Sequence, residues 1–363
     1  MDTGTFRAGF PVVRRLAYLN AGTNGPVPRR AAGAAAREVE RETVESRAGW
    51  PHFERIVELA SAVRERIAAR LGCDVEEVAL TRSTTDGMAT ALALVDLGPG
   101  DEVLTSDEEH GGLLAPLEAA RRRRGFEVRT APFAEIAGEV GPRTRLVACS
   151  HVSWISGRVV DAAALAAADA LVLLDGAQGL GAVDFSVREL GCDFYGAAGQ
   201  KWLCGPEGTG CLYVRRDLAE SLIPAWPSLW SLSDLHRPSE LPPRDGAQRF
   251  DLGQSAPLLA WSLASLDVLG EAGWEWVTER GPALAGLLAE ALAERGHEVV
   301  PRDRTTLVAW RAEDTRDTVV RLAGDGVVIR DLPGRGLLRA SVGAWSTEDD
   351  LERLVAAVSP SRS

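Results

Sequence analysis

Lys201 is the sole lysine among the 40 basic residues of this 363-residue chain; the other 39 are arginines. A codon bias toward Arg, Ala, Gly and Asp accounts for the scarcity of lysine, but not for the survival of one here. It lies in Cys192–Val214, among glycines 196, 199, 205, 208 and 210 and close to Pro206. Its neighbours are Gln200, Trp202 and Leu203, not the acidic residues that accompany a lysine on a solvated helix. An amine in apolar surroundings loses charge, because desolvation disfavours the protonated form. A neutral amine can attack an aldehyde and form a Schiff base.

Four further segments could serve such chemistry. Asp175-Gly176-Ala177-Gln178 follows the apolar run Leu171–Leu174. An Asp at a strand end can keep a pyridine nitrogen protonated and make the ring an electron sink, although Asp-Gly is also a common turn signal. Thr81–Gly87 joins a strand to a helix and carries Ser83, Thr84 and Thr85, which suits a phosphate cradle and equally an ordinary N-cap. His110, after Ser106-Asp107-Glu108-Glu109, could stack on an aromatic ring or move protons, or simply face solvent. Arg339, in Leu337–Ser341, interrupts a strand pattern, and its guanidinium suits bidentate carboxylate binding.

The elements that must position these residues alternate. Phe53–Leu71 has apolar residues at helical spacing (Ile56, Leu59, Val63, Ile67, Leu71). Helices are predicted over Thr84–Val95 and Gly111–Arg124. Strands are predicted at Val78–Leu80, Glu102–Thr105, Glu127–Arg129, Leu146–Cys149 and Leu171–Leu174. Apolar strands separated by helices imply a parallel sheet covered on both faces, with chemistry collected at the strands' carboxyl ends. Pro224–Pro243, with five prolines, reads as an irregular connector. After it, helices over Leu258–Leu269 and Trp274–Arg295, strands at Thr305–Arg311, Val327–Asp331 and Leu337–Val342, and a helix over Thr347–Val358 suggest a smaller α/β unit.

Composition narrows the function. Net charge is −12, which disfavours an electrostatic grip on nucleic acid. No apolar run of about eighteen residues predicts a membrane helix, and Met1–Phe10 lacks the apolar core of a secretory leader. Five cysteines without zinc spacing and five histidines without a His-x-x-x-His pair predict neither a disulfide framework nor a metal site. A reducing, cytoplasmic setting is the expectation.

Together these segments resemble the class V aminotransferase family of pyridoxal-phosphate (PLP) enzymes, in the branch with cysteine desulfurases, isopenicillin N epimerase-like proteins and C–S lyases. The likeness runs from Tyr18-Leu19-Asn20-Ala21-Gly22 to Arg339-Ala340-Ser341. Its specific part is Cys192–Tyr195, then Ala198-Gly199-Gln200-Lys201, then Gly208-Thr209-Gly210. The resemblance implies the PLP fold type I: a large α/β domain with a mostly parallel seven-stranded sheet, and a smaller C-terminal α/β domain. Residues 1–35 would pack with the small domain, 36–257 would form the PLP-binding domain and 258–363 the small one. It implies that Lys201 holds PLP as a Schiff base, Asp175 pairs with the ring nitrogen, Gln178 sits near the phenolic oxygen and His110 stacks on the ring. Thr84, Thr85 and Gln200 would bind phosphate. Arg339 would take the substrate's α-carboxylate, with Asn20 and Trp154 beside it. A homodimer with shared sites would follow, Arg249–Ser255 bringing Gln254 and Ser255 to the neighbour's phosphate.

The chain departs from that pattern in four places. Ala198 and Gln200 stand where many members have Ser and His, and Gln254 where many have Thr. Trp154 stands where relatives carry Asn, and an indole cannot accept a hydrogen bond. Asp331–Leu338 lacks the nucleophilic Cys of desulfurases, and no cysteine follows Cys211. A persulfide relay is therefore not expected. A β-elimination such as C–S bond cleavage is the leading expectation, with transamination against a 2-oxo acid or epimerisation as alternatives and a non-catalytic partner protein as a remote one.

Overall fold

The computed structural model describes residues 2–358. Met1 and residues 359–363, the outer tips of the first and last expected segments, lie outside the described residues. Twelve strands are found among them: β1 (Ala17–Tyr18), β2 (Val78–Thr81), β3 (Glu102–Ser106), β4 (Glu127–Ala131), β5 (Thr144–Ser150), β6 (Leu171–Asp175), β7 (Phe194–Ala198), β8 (Gly210–Val214), β9 (Leu307–Arg311), β10 (Val327–Val328), β11 (Arg330–Leu332) and β12 (Leu337–Ser341).

Seven of them form one sheet in the order β2-β8-β7-β6-β5-β3-β4. Strands β3 to β7 run parallel, while β8 is antiparallel to both its neighbours, β2 and β7. Alternation along each strand divides the core between two faces. Val147, Leu174 and Tyr195 pack toward Ile56, Leu59, Val63 and Ile67 of the helix Trp50–Leu71, and toward Leu259 and Leu266 of the helix Ala256–Ala272. Their neighbours Leu146, Leu173 and Phe194 pack toward Met88 and Leu92 of the helix Thr84–Leu94, and Leu113 and Leu117 of the helix Gly111–Arg124. Burial on both faces is why these strands read as near-continuous apolar runs.

Strands β7 and β8 escaped the sequence reading. FYGAA and GCLYV are buried at every position, but their Gly, Ala and Cys content lowers strand propensity. The expected strand over 327–331 is two: β10 pairs parallel with β1, and β11 pairs antiparallel with β12.

The three-stranded antiparallel sheet β11-β12-β9 lies in the C-terminal part. The chain's start is tied to it: β1 joins β10, Asn20 bridges Ser341, and Arg7 pairs with Asp350 at 2.7 Å. Residues 20–25 are thereby carried from the edge of this sheet toward the carboxyl ends of the larger one.

Candidate active site

Each large-sheet strand in the cleft delivers one group. Asp175 closes β6, and its Oδ1 accepts from the Ala177 amide at 2.9 Å. The Lys201 loop leaves β7. The Thr84 helix follows β2, the His110 segment follows β3 and the Trp154 turn follows β5. Desolvation lowers the Lys201 amine to about 8, with Asp175 opposing the shift and Arg339 and Arg330 adding to it. Burial raises the Asp175 carboxyl, and the Lys201 charge counteracts that. At neutral pH the amine is still mostly charged, but its uncharged, nucleophilic fraction is far larger than that of an exposed lysine.

Two glycines let backbone reach this place. A Cβ on Gly25 would lie 2.2 Å from the Lys201 carbonyl, and the Gly25 amide donates to the Gln200 carbonyl at 2.7 Å. A Cβ on Gly22 would meet Ser341 Oγ, Arg339 Nη2 and Gln178 Oε1 at 2.7, 2.8 and 2.9 Å. Gln178 is committed at both ends of its amide: Nε2 donates to the Gly22 carbonyl at 2.8 Å, and Oε1 accepts from the Trp202 indole at 3.0 Å. It fixes the chain's N-terminal stretch to the lysine loop.

At one end of the cleft, Ser83 caps the helix Thr84–Leu94, accepting from the Asp86 amide. Thr84 Oγ1 and Gln200 Oε1 are buried without hydrogen-bond partners, and Thr85 is exposed. Gln254 Nε2 donates to the Thr81 carbonyl at 2.6 Å, and half-buried Ser255 stands at the start of the helix Ala256–Ala272. Hydroxyls and free amides at a helix N-terminus suit a phosphate.

At the other end, Arg339 is fully buried in β12. Nη1 donates to the Trp154 carbonyl at 2.7 Å, while Nε and Nη2 have no partner, and neither has the adjacent Ser341 Oγ. Burial and the neighbouring Arg330 lower its guanidinium to about 9. Asn20 Oδ1 accepts from Thr23 Oγ1. The structure brings Trp154 into the cleft. Its ring meets His110 edge-on at 4.9 Å and 89°, with its Nε1 buried and unpartnered. His110 Nδ1 accepts from the Gly112 amide, capping its helix. Although His110 is exposed, desolvation of the ring, then Lys201, Arg330 and Arg339, lowers it to about 4, so the imidazole is neutral.

Three residues went unnoticed in the sequence. Arg330 sits directly opposite Arg339 in the β11–β12 pairing, its guanidinium 5.7 Å from the Trp154 ring centre and 3.3 Å from Thr23 Oγ1. Glu108 bonds the turn that carries Trp154. Glu109 is buried and held by Ser106 and Ser150. Like charges facing each other across strands are unfavourable, so the paired arginines suit an anionic occupant. Among the described residues no cluster of three or more His, Cys, Asp or Glu could hold a metal ion, and no helix is long and apolar enough to cross a membrane.

A lysine whose charge is coupled to a strand-end aspartate, with a phosphate-type cradle on one side and a buried arginine on the other, makes an amine-based α/β site. The family described as Aminotransferase class-V matches residues 18–354. The chain belongs to this family of PLP-dependent enzymes, and PLP is its cofactor. It is 30% identical to an isopenicillin N epimerase of Amycolatopsis lactamdurans over 94% of each chain. A cysteine desulfurase of Klebsiella pneumoniae is 34% identical over 60% of this chain and 59% of its own. Two structures of the cystine C–S lyase C-DES superpose closely. One, a mutant with glycine covalently linked to PLP, has a TM-score of 0.90 at 25% identity, covering 98% of this chain and 99% of that one. The other, with its product cysteine persulfide, has a TM-score of 0.89 at 26% identity, covering 96% and 98%.

The residues present fit the cofactor. The Thr84 hydroxyl, buried without a partner at the first position of its helix, has a proton to give where a phosphate would be held. Asp175 would hold the ring nitrogen's proton, and Lys201 is the one side-chain amine in the sequence.

Proposed function

We propose that this enzyme carries out a β-elimination on an α-amino acid, cleaving a C–S or related bond without a persulfide cysteine. The observation that carries the reading is the β11–β12 hairpin. It turns through Pro333-Gly334-Arg335-Gly336, has no cysteine, and stands where desulfurases need one. The likeness to a cystine C–S lyase supports it.

Bound here, PLP supplies the electrophilic carbon and the electron-withdrawing ring. Lys201 Nζ would hold the cofactor and, when free, would take the proton from the substrate's Cα. Buried Asp175 keeps the ring nitrogen protonated. Arg339 offers its two unpartnered nitrogens to the α-carboxylate, and Arg330 faces the same space. Neutral His110, backed by Trp154, would cover one face of the cofactor's ring. Thr84, Thr85 and Gln200 would hold the phosphate, and in a homodimer Gln254 and Ser255 would reach the neighbour's site. The exposed apolar residues Ile223, Trp226, Leu229 and Leu241 support burial against a second copy. The setting is cytoplasmic.

A panel of amino acids tests the reading. Pyruvate appearing with a released thiol or persulfide is the expected result. Conversion of the cofactor to its amine form, reversed by a 2-oxo acid, would mean transamination. The 30% identity to an epimerase favours inversion at Cα as the second reading. Its signature is the inverted amino acid as product, with the Cα hydrogen exchanged with solvent and no pyruvate.

A further inference from the structure

Trp154 connects the parts of the substrate end. Its carbonyl accepts from Arg339 Nη1 at 2.7 Å, its ring meets His110, and the Arg330 guanidinium lies over it. With Nη1 so engaged, the Arg339 fork has one settled orientation, and its two free donors, Nε and Nη2, are aimed by that bond. The position of the Trp154 carbonyl therefore governs where a carboxylate is received.

What holds Trp154 is a turn closed from outside. The Gly157 amide donates to the Ser153 carbonyl at 3.0 Å, and the Ser153 amide to the Arg158 carbonyl at 2.8 Å. Ser153 Oγ accepts from the Ile155 and Ser156 amides, both at 3.1 Å, and Ser156 Oγ accepts from the Arg158 amide at 3.2 Å. Each hydroxyl uses its lone pairs on the turn's own backbone and has one proton left to give. Both protons go to the same atom. Ser156 donates to Glu108 Oε2 at 2.6 Å, and Ser153 donates to that oxygen too. One carboxylate oxygen thus grips the turn on either side of Trp154.

Glu108 is itself fixed two residues before His110. The next residue, Glu109, is buried against Ser106 and Ser150, and the residue before it, Asp107, accepts from the Phe133 amide at 2.9 Å. The segment that presents His110 therefore also sets the Trp154 turn, and through the Trp154 carbonyl the Arg339 fork. Charged and neutral acceptors differ in strength, but an amide oxygen carries the same two lone pairs as one carboxylate oxygen. A glutamine at 108 can accept both serine protons; an alanine can accept neither.

We infer that Glu108 is a positioning residue for substrate carboxylate recognition, acting through Ser153, Ser156 and the Trp154 carbonyl on Arg339. The inference rests on the reading that Arg339 receives the α-carboxylate. Glycine is the suitable probe because its only anionic group is that carboxylate. Its dissociation constant is read from the absorbance change of the PLP-loaded enzyme, independently of turnover. Glu108→Ala weakens glycine binding by about tenfold or more, as expected for a misaligned charged hydrogen-bond pair. Glu108→Gln stays within about threefold of wild type. Ser153→Ala combined with Ser156→Ala reproduces the Glu108→Ala loss, which keeps the test available if Glu108→Ala does not fold. Glu108→Ala added to Arg339→Ala weakens binding no further, because both act on one contact. Unchanged binding in Glu108→Ala, equal losses in the Ala and Gln variants, or additive losses with Arg339→Ala would each overturn the inference. Unchanged glycine binding in Arg339→Ala would instead remove the carboxylate reading beneath it.

Discussion

The two anion-receiving ends of the cleft are built differently. On the proposed reading the phosphate end would use Thr84, Thr85 and Gln200, with Gln254 and Ser255 from a second copy, none of which carries a formal charge, together with a helix N-terminus on the large sheet. The end proposed for the carboxylate holds two guanidiniums, Arg330 and Arg339, opposite each other on the small antiparallel sheet. A permanent tenant can be held by many modest, fixed dipoles, since its site is organised once. A substrate that arrives and leaves is met by full charge, kept ready by burial. The price is visible in Arg339, whose guanidinium is lowered to about 9 by desolvation and by its twin. Lys201 feels the charges of Asp175, Arg339 and Arg330 and on the proposed reading serves both ends.

The largest expected effect is at that shared point. Lys201→Ala removes both the covalent anchor and the Cα base, so turnover should fall by at least about 10³-fold, measured as pyruvate release at saturating substrate. Next is the charged end. Arg339→Ala should raise KM by roughly 10- to 100-fold, the range for a lost charged hydrogen bond, while leaving cofactor content unchanged. Loss of cofactor in that variant would break the separation between the ends. The neutral end should respond the other way. Thr84→Ala should weaken PLP retention by about tenfold, seen by dialysis and absorbance, with KM for the amino acid little altered.

The smallest effect is on stability. Burial raises the Glu109 carboxyl to about 7, despite hydrogen bonds from Ser106 and Ser150 that oppose the shift. Between its ordinary value near 4.5 and about 7, the folded chain holds a proton that the unfolded chain has lost. This group's contribution to stability therefore falls as pH rises through that window. Glu109→Gln should flatten the dependence, so urea midpoints of wild type and variant should differ in slope between pH 5 and pH 7.

Lys201 was legible because one lysine among 39 arginines is informative, and Asp175 because it ends a run of apolar residues that must be a buried strand. Thr84 and Gln178 followed from their order around those two. Arg330 was not legible. Its role comes from lying opposite Arg339 in an antiparallel pairing whose register depends on a hairpin, and nothing in a chain rich in arginine marks it. Glu108 was hidden similarly, since its partners at 153 and 156 are brought to it by the neighbouring parallel strands β3 and β5. The sheet was readable where residues are large and apolar, as in β6, and unreadable in β7 and β8, where Gly and Ala admit close backbone approach but carry little strand signal. The order of strands, with β8 reversed beside β2, is a tertiary property that no local pattern states.

On the proposed function, Lys201 is the group that holds the cofactor. Borohydride reduction of the PLP-loaded enzyme, followed by peptide mapping, tests this directly, because the sequence contains no other side-chain amine. One pyridoxyl group per chain, on the peptide containing Lys201 and absent from Lys201→Ala, is the result expected. A label confined to the N-terminal amine, or no stable label, would contradict it.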